Sequence, residues 1–226
     1  MSWFRSRKPK KVLCSIGAGP HEELLKLSGA TFEIFAERHG YDLDLRTTLA
    51  DEGRPASWSK VVLIRGLLET YDTVFWVDAD AAIVDVSRDI ADDVHGKYLG
   101  LAVHHYDGQA IPNCGIMLVN RSRLTMKLLE RAWNATQWID HPWWENAAIL
   151  ELMGHEVGDG PGPVTMKSPT EFYRKAALLG NEWNSIMVDE ADHPRIRHYP
   201  GRSQEYRLEH LQADLDELRA ATGAGS

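Results

Sequence analysis

Apolar residues come in blocks along the first part of the chain, and the blocks differ in period. "VLCSI" (residues 12–16) is a continuous apolar run that reads as a buried strand. After "GAGP", Leu24, Leu25, Leu27, Phe32 and Phe35 recur at helical spacing, with Pro20 suited to a first helical turn and Gly40 to a stop. A second strand is expected at "DLDLRTTL", then a helix from about Ser57, its N-cap, to Leu68, and a third strand at "TVFWVDAD". "YLGLAVH" and "GIMLVN" read as further strands. Helices follow from about Ser122 to Trp138 and from Pro142 to Met153, the second closed by Gly154. Strands alternating with helices predict an α/β domain whose mainly parallel sheet is covered on both faces, and "VFWV" suits a strand buried on both sides. From about Glu205, Leu208, Leu211, Leu215 and Leu218 form one stripe, which fits a helix docked on the domain or a short homodimer seam. The expected organisation is a basic lead-in over residues 1–11, one domain over 12–204, and an amphipathic C-terminal helix and tail over 205–226.

Composition narrows the function classes. A formal net charge of -8 over 226 residues argues against general nucleic-acid affinity, which needs clustered cations. No apolar run approaches the roughly 18 residues of a membrane span. The basic head "MSWFRSRKPKK" is followed by no signal-peptide core, so peripheral membrane contact is the most it supports. The two cysteines, Cys14 and Cys114, sit in apolar surroundings, which favours buried thiols in a reducing, cytoplasmic setting while leaving one disulfide open.

The chemistry centres on "TVFWVDAD", where an apolar strand ends in two carboxylates, Asp78 and Asp80. In extended backbone, residues two apart project to the same side about 6–7 Å apart, so the pair can share a cation. Open α/β sheets bind ligands outside the carboxyl ends of their strands, which is where these carboxylates stand. Hard oxygens of this kind suit Mg²⁺ or Mn²⁺ bridging to phosphates. Three rival readings weaken against the residues. A dehalogenase-type phosphatase carries its Asp pair on the first strand, whereas this strand is the third. A dinucleotide fingerprint at "GAGPHE" lacks its last glycine, because Glu22 stands there. A nucleotidyltransferase phosphate loop is glycine- and arginine-rich, and "SIGAGPHEE" has no arginine. His104 and His105 project to opposite faces of a strand, so at most one of them joins any site.

"PASWSKVVLIRGLLETYDTVFWVDADAAIVD" resembles the core of the galactosyl- and mannosyltransferase family that also holds the plant xyloglucan xylosyltransferases, glycosyltransferase family 34. More distantly it is similar to family 8, the retaining galactosyltransferases and glycogenins. "NCGIMLVNRS", "WWENAAILELM" and "RIRHYPGRS" match later family segments in order, so the resemblance spans roughly residues 12–203. It implies a metal-dependent, retaining transferase with the GT-A nucleotide-sugar fold, drawing a UDP- or GDP-sugar donor and a hydroxyl acceptor. A catalytically silent nucleotide-sugar binder or scaffold of the same fold is the alternative.

Carried onto this chain, the resemblance makes Asp78, Asp80 and His198 the metal ligands, the imidazole favouring Mn²⁺ ahead of Mg²⁺. It places Ser15, Gly17, Lys60, Asp78 and Arg202 at the nucleotide and its phosphates. Asn113 and Gly115 line the donor sugar together with Glu145 and Asn146, which replace the family's usual Asp-Gln pair and are the candidate catalytic residues. Trp143 and Trp144 offer aromatic faces to an acceptor.

Overall fold

The computed structural model describes residues 9–106, 108–160 and 164–223. In chain order the elements are β1 (Lys11–Ile16), α1 (Glu22–His39), β2 (Asp42–Arg46), α2 (Ser59–Leu67), β3 (Thr73–Val77), β4 (Ala81–Ile83), α3 (Ile90–Asp93), β5 (Leu99–Tyr106) and β6 (Gln109–Asn120). There follow α4 (Arg123–Asn134), α5 (Trp144–Met153), β7 (His155–Glu156), β8 (Thr165–Met166), α6 (Glu171–Lys175), β9 (Ala177–Leu179), β10 (Ile196–His198) and α7 (Gln204–Thr222). The main sheet has the order β2-β1-β3-β6-β5-β9. β1 runs parallel to both β2 and β3, and β5 runs parallel to β9, while β6 is antiparallel to β3 and β5. The sheet is therefore mainly parallel.

The continuous apolar run of β3 is explained by burial on both faces. Val74 and Trp76 join a core with Trp58 just before α2, Val61 and Ile64 of α2, Leu128 of α4 and Ile149 of α5. Phe75 and Val77 point the other way, to Phe32 and Phe35 of α1 and Leu218 of α7. Every residue of β3 is buried, so this strand is a fixed platform for whatever follows its carboxyl end.

Several boundaries shift. Ser57 lies inside a 3₁₀ turn, Ala56–Trp58, and does not cap α2, which starts at Ser59. The helix expected to reach Trp138 ends at Asn134 and passes into a separate 3₁₀ turn, while α5 starts at Trp144. Ser122 caps α4 and Ser203 caps α7, each accepting a backbone N–H three residues on. The leucine stripe of α7 is spent inside the chain: Leu211, Leu215 and Leu218 are buried, with α7 laid along α1. That burial is the docked arrangement, the first of the two expected for the stripe. Cys14 and Cys114 are both free and buried. Most of the basic lead-in, residues 1–8, lies outside the described residues. Among the described residues no helix is long and apolar enough to cross a membrane.

Candidate active site

Directly after β3 the chain turns instead of continuing extended: the Ala81 N–H donates to the Asp78 carbonyl at 3.1 Å. This turn, and not the strand pleat expected from the sequence, is what holds the Asp78 and Asp80 carboxylates near each other. β4 leaves the turn and pairs antiparallel with β10, which sets His198 opposite Ala81. The Tyr199 N–H then donates to the Asp80 carbonyl at 3.0 Å. His198 Nε2 lies 3.2 Å from Asp80 Oδ1 and 3.8 Å from Asp78 Oδ2. One ligand atom from each of Asp78, Asp80 and His198 falls within 4.8 Å of the others. Two carboxylates and one imidazole make a donor set that suits a divalent ion.

The surroundings determine which oxygens remain available. Asp78 Oδ1 accepts from Trp76 Nε1 at 2.6 Å and Lys60 Nζ at 3.0 Å, leaving Oδ2 turned toward His198. Lys60 is buried, donates also to the Cys114 carbonyl at 3.1 Å, and pairs with Glu145 Oε1 at 2.8 Å. Burial opposes the charge on Lys60, but Asp78 and Glu145 outweigh it and hold its pKa above the ordinary lysine value. Burial raises the pKa of Glu145 despite the neighbouring ammonium. The Ser57 hydroxyl also faces Glu145, yet neither that hydroxyl nor Glu145 Oε2 completes a hydrogen bond. Burial likewise opposes ionisation of Asp80, but its contacts with His198 first and with Arg207 next hold its pKa down to about 2.

A three-residue irregularity in β6 builds the opposite wall. Leu101 pairs with Met117 and Ala102 with Asn113, so Cys114, Gly115 and Ile116 drop out of the ladder with β5. The displaced backbone meets the site: the Asp78 N–H donates to the Gly115 carbonyl at 2.9 Å. Asn146 Oδ1 accepts the Cys114 N–H at 2.8 Å and pins the same segment to α5. Bulges next to active sites commonly re-aim side chains in this way.

A cavity of about 260 Å³ opens beside the carboxylates, lined by Ala18, His21, Lys60, Asp78, Asp80 and Trp144 among others. Trp144 is 42% exposed and holds φ at +43°, a conformation that costs a side chain on the order of 1 kcal/mol and is often kept at functional sites. Trp143 is half-buried and set edge-on against His141.

Not every expected residue reaches this cavity. Ser15 is fully buried in β1. A Cβ on Gly17 would lie 2.6 Å from the His21 carbonyl oxygen, so this glycine lets β1 pass tightly under the start of α1. Arg202 is turned toward Met187 and the ring of Tyr206, away from the carboxylates. Besides Lys60 at Asp78, Arg207 approaches the carboxylates, with Nη1 3.6 Å from Asp80 Oδ2. Arg207 sits on α7, nine residues beyond His198, and no motif in the sequence singles it out. Glu145 and Asn146 come near the site from below, not as cavity lining.

Residues 31–105 match the model of the galactosyl transferase GMA12/MNN10 family, a stretch that includes Asp78 and Asp80 and bears out the resemblance seen in the sequence. No curated protein sequence matches the chain. Among solved structures, one similar fold is a glycosyltransferase involved in glycosylation of the major capsid of PBCV-1, at TM-score 0.68 and 16% identity, covering 91% of this chain and 100% of that one. Another is the apo WbbM bifunctional glycosyltransferase, at TM-score 0.56 and 9% identity, covering 94% of this chain and 52% of that one. A third is apo GlyE of Streptococcus pneumoniae TIGR4, at TM-score 0.55 and 14% identity, covering 95% of this chain and 64% of that one. The α/β architecture is shared with these structures, and in this chain it ends in the C-terminal helix α7.

Proposed function

We propose that the protein is a metal-dependent GT-A glycosyltransferase that moves a hexosyl or pentosyl unit from a nucleotide-sugar donor, UDP- or GDP-linked, to an acceptor hydroxyl with retention of configuration. The observation that carries this reading is the convergence of Asp78, Asp80 and His198 beside a cavity at the carboxyl end of β3. That strand lies in the segment that matches the galactosyl transferase family model.

Asp78 Oδ2, Asp80 and His198 Nε2 would hold the ion, Mn²⁺ ahead of Mg²⁺ because one ligand is nitrogen. Bound there, the ion supplies Lewis-acid neutralisation of the leaving nucleoside diphosphate. In the transfer the C1–O bond to the diphosphate breaks, its electron pair leaving with the phosphate. The acceptor oxygen bonds to C1, and its proton passes to a phosphate oxygen. Arg207 is placed to meet phosphate when it releases Asp80, supplying positive charge where negative charge develops. Lys60 fixes Asp78, and Glu145 fixes Lys60, so Glu145 acts through its partner as a positioning residue. Asn113, Gly115 and Asn146 shape the sugar side of the wall. Trp144, exposed at the rim, is the better of the two tryptophans for stacking an acceptor. Buried, unpaired Cys14 and Cys114 suit a reducing cytoplasm.

The test is incubation with MnCl₂ and a panel of UDP- and GDP-sugars, following release of the nucleoside diphosphate by chromatography. Turnover of one donor that needs Mn²⁺ and is lost in Asp80→Asn is the expected result. Absence of turnover, together with no Mn²⁺-dependent stabilisation by any nucleotide, rejects the reading. Nucleotide-dependent stabilisation without turnover supports a silent binder in its place.

A further inference from the structure

Asn184 takes no part in the reading above, yet its side chain is fully buried among the residues of the site. It follows the 3₁₀ turn Asn181–Trp183, and its backbone is fixed on several sides. Its N–H donates to the Asn181 carbonyl at 3.0 Å, and its own carbonyl meets His104 Nε2 at 2.6 Å. The next residue, Ser185, is tied to β10, with the His198 N–H donating to the Ser185 carbonyl at 2.8 Å.

The direction of each hydrogen bond around Asn184 follows from one unambiguous donor. The Gly115 backbone N–H can only donate, and it does so to Asn113 Oδ1 at 2.8 Å. The Asn113 amide is thereby oriented, with its oxygen inward. Asn184 approaches that same oxygen at 2.9 Å, so it must present Nδ2 as a donor. Its Oδ1 is then the atom 2.9 Å from His198 Nδ1. An amide oxygen can only accept, so Nδ1 of the neutral ring carries the proton and Nε2 carries the lone pair. That lone pair faces Asp80 Oδ1 at 3.2 Å, an arrangement that is repulsive until a cation sits between them.

We infer that Asn184 is a positioning residue that presets His198 in the Nδ1–H tautomer, so that Nε2 is ready for a metal ion before one binds. The inference rests on reading His198 as a metal ligand. The relay uses three separate segments, the β6 irregularity, the loop before β10, and β10 itself. Ligating histidines are generally oriented by a partner on the other ring nitrogen, and loss of such a partner costs about 10–100-fold in metal affinity.

Two readouts test it on the full-length protein without donor or acceptor. The first is the ¹⁵N pattern of the His198 ring in the metal-free protein, followed through a pH series and read where the ring is neutral. The second is the Mn²⁺ dissociation constant by calorimetry. Wild type is expected to show Nδ1–H. Asn184→Leu removes the acceptor, so the proton is expected to move to Nε2, where Asp80 accepts it, with Mn²⁺ binding weakened about 10–100-fold. Asn184→Asp keeps an acceptor and is expected to retain Nδ1–H. An Nε2–H ring in wild type overturns the inference without recourse to any variant. An unchanged tautomer in Asn184→Leu overturns the role of Asn184 while leaving the metal site standing. A changed tautomer with unchanged Mn²⁺ affinity overturns His198 as a ligand, and the inference with it.

Discussion

Substituting Gly115 by alanine is the sharpest probe of the site, because it adds one methyl group and replaces none of the candidate ligand residues. The glycine has no positive φ, so its backbone accepts alanine and the effect comes from the methyl alone. A Cβ built there lies 2.4 Å from Cε1 and 2.9 Å from Nδ1 of His198, and 2.9 Å from Asn113 Oδ1. Ordinary contact begins near 3.4 Å, so the imidazole must retreat by about 1 Å. Metal sites tolerate displacements of about 0.2 Å. The retreat also pulls the ring off Asn184, so the ligand is both displaced and disoriented. The expected loss in Mn²⁺ affinity is about 100-fold, or ~2.7 kcal/mol. Overpacking should cost about 1–3 kcal/mol of stability, so binding is measured by calorimetry well below the midpoint of thermal unfolding, with circular dichroism to verify the fold. A Gly115→Ala protein that binds Mn²⁺ within about threefold of wild type would refute the assignment of His198 to the metal site.

Three further outcomes follow from the geometry. Arg207→Gln is expected to tighten Mn²⁺ binding in the absence of nucleotide, since a competing cation leaves Asp80, and to weaken Mn²⁺-dependent nucleoside diphosphate binding by about 10-fold. Arg202→Gln should change neither by more than about twofold, and a nucleotide defect confined to Arg202→Gln in calorimetric titrations would reverse the two assignments. Lys60→Met leaves the buried carboxylate of Glu145 unpaired and should cost about 3–5 kcal/mol in urea denaturation, with much of it recovered in Lys60→Met/Glu145→Gln. An undiminished midpoint in the single variant contradicts the buried triad. His155, buried in β7, has its pKa pushed below the ordinary imidazole value by desolvation. The unfolded chain therefore binds the extra proton first, and this part of the stability is complete above about pH 6.5 and lost as pH falls toward the folded value. Unfolding free energy should fall less steeply with acid in His155→Gln, by up to ~1.4 kcal/mol per pH unit. Parallel slopes in the two proteins count against it.

The parts of this architecture written in the sequence are those made by local pattern. β1, α1, β3 and the helices with apolar stripes are visible because burial on one or both faces repeats over many residues. β4, β9 and β10 are three residues each, too short for any period to register: β9 adds to the longer β5, and β4 and β10 pair with each other across more than 100 positions. The same division runs through the site. Asp78 and Asp80 stand beside an apolar strand and His198 sits in a family-like segment, so all three were readable. The ion pair between Lys60 and Glu145, 85 positions apart in numbering, joins two helix starts that no local signal connects. Arg207 reaches Asp80 only because α7 packs back along α1. Asn184 belongs to the stretch between α5 and β10, where short elements and turns give no continuous pattern.

The charges gathered around Asp78 have a consequence for the order in which ligands can arrive. Three carboxylates, Asp78, Asp80 and Glu145, stand against two cations, Lys60 and Arg207, so these five side chains in their charged forms sum to one net negative charge. A doubly charged ion held there turns that to one net positive. The polarity of the pocket thus inverts on loading, and an anionic diphosphate meets repulsion before the inversion and attraction after it. For the proposed reaction, cation first and nucleotide second is the order this change of sign favours, and such an order needs no moving part to act as a turnstile.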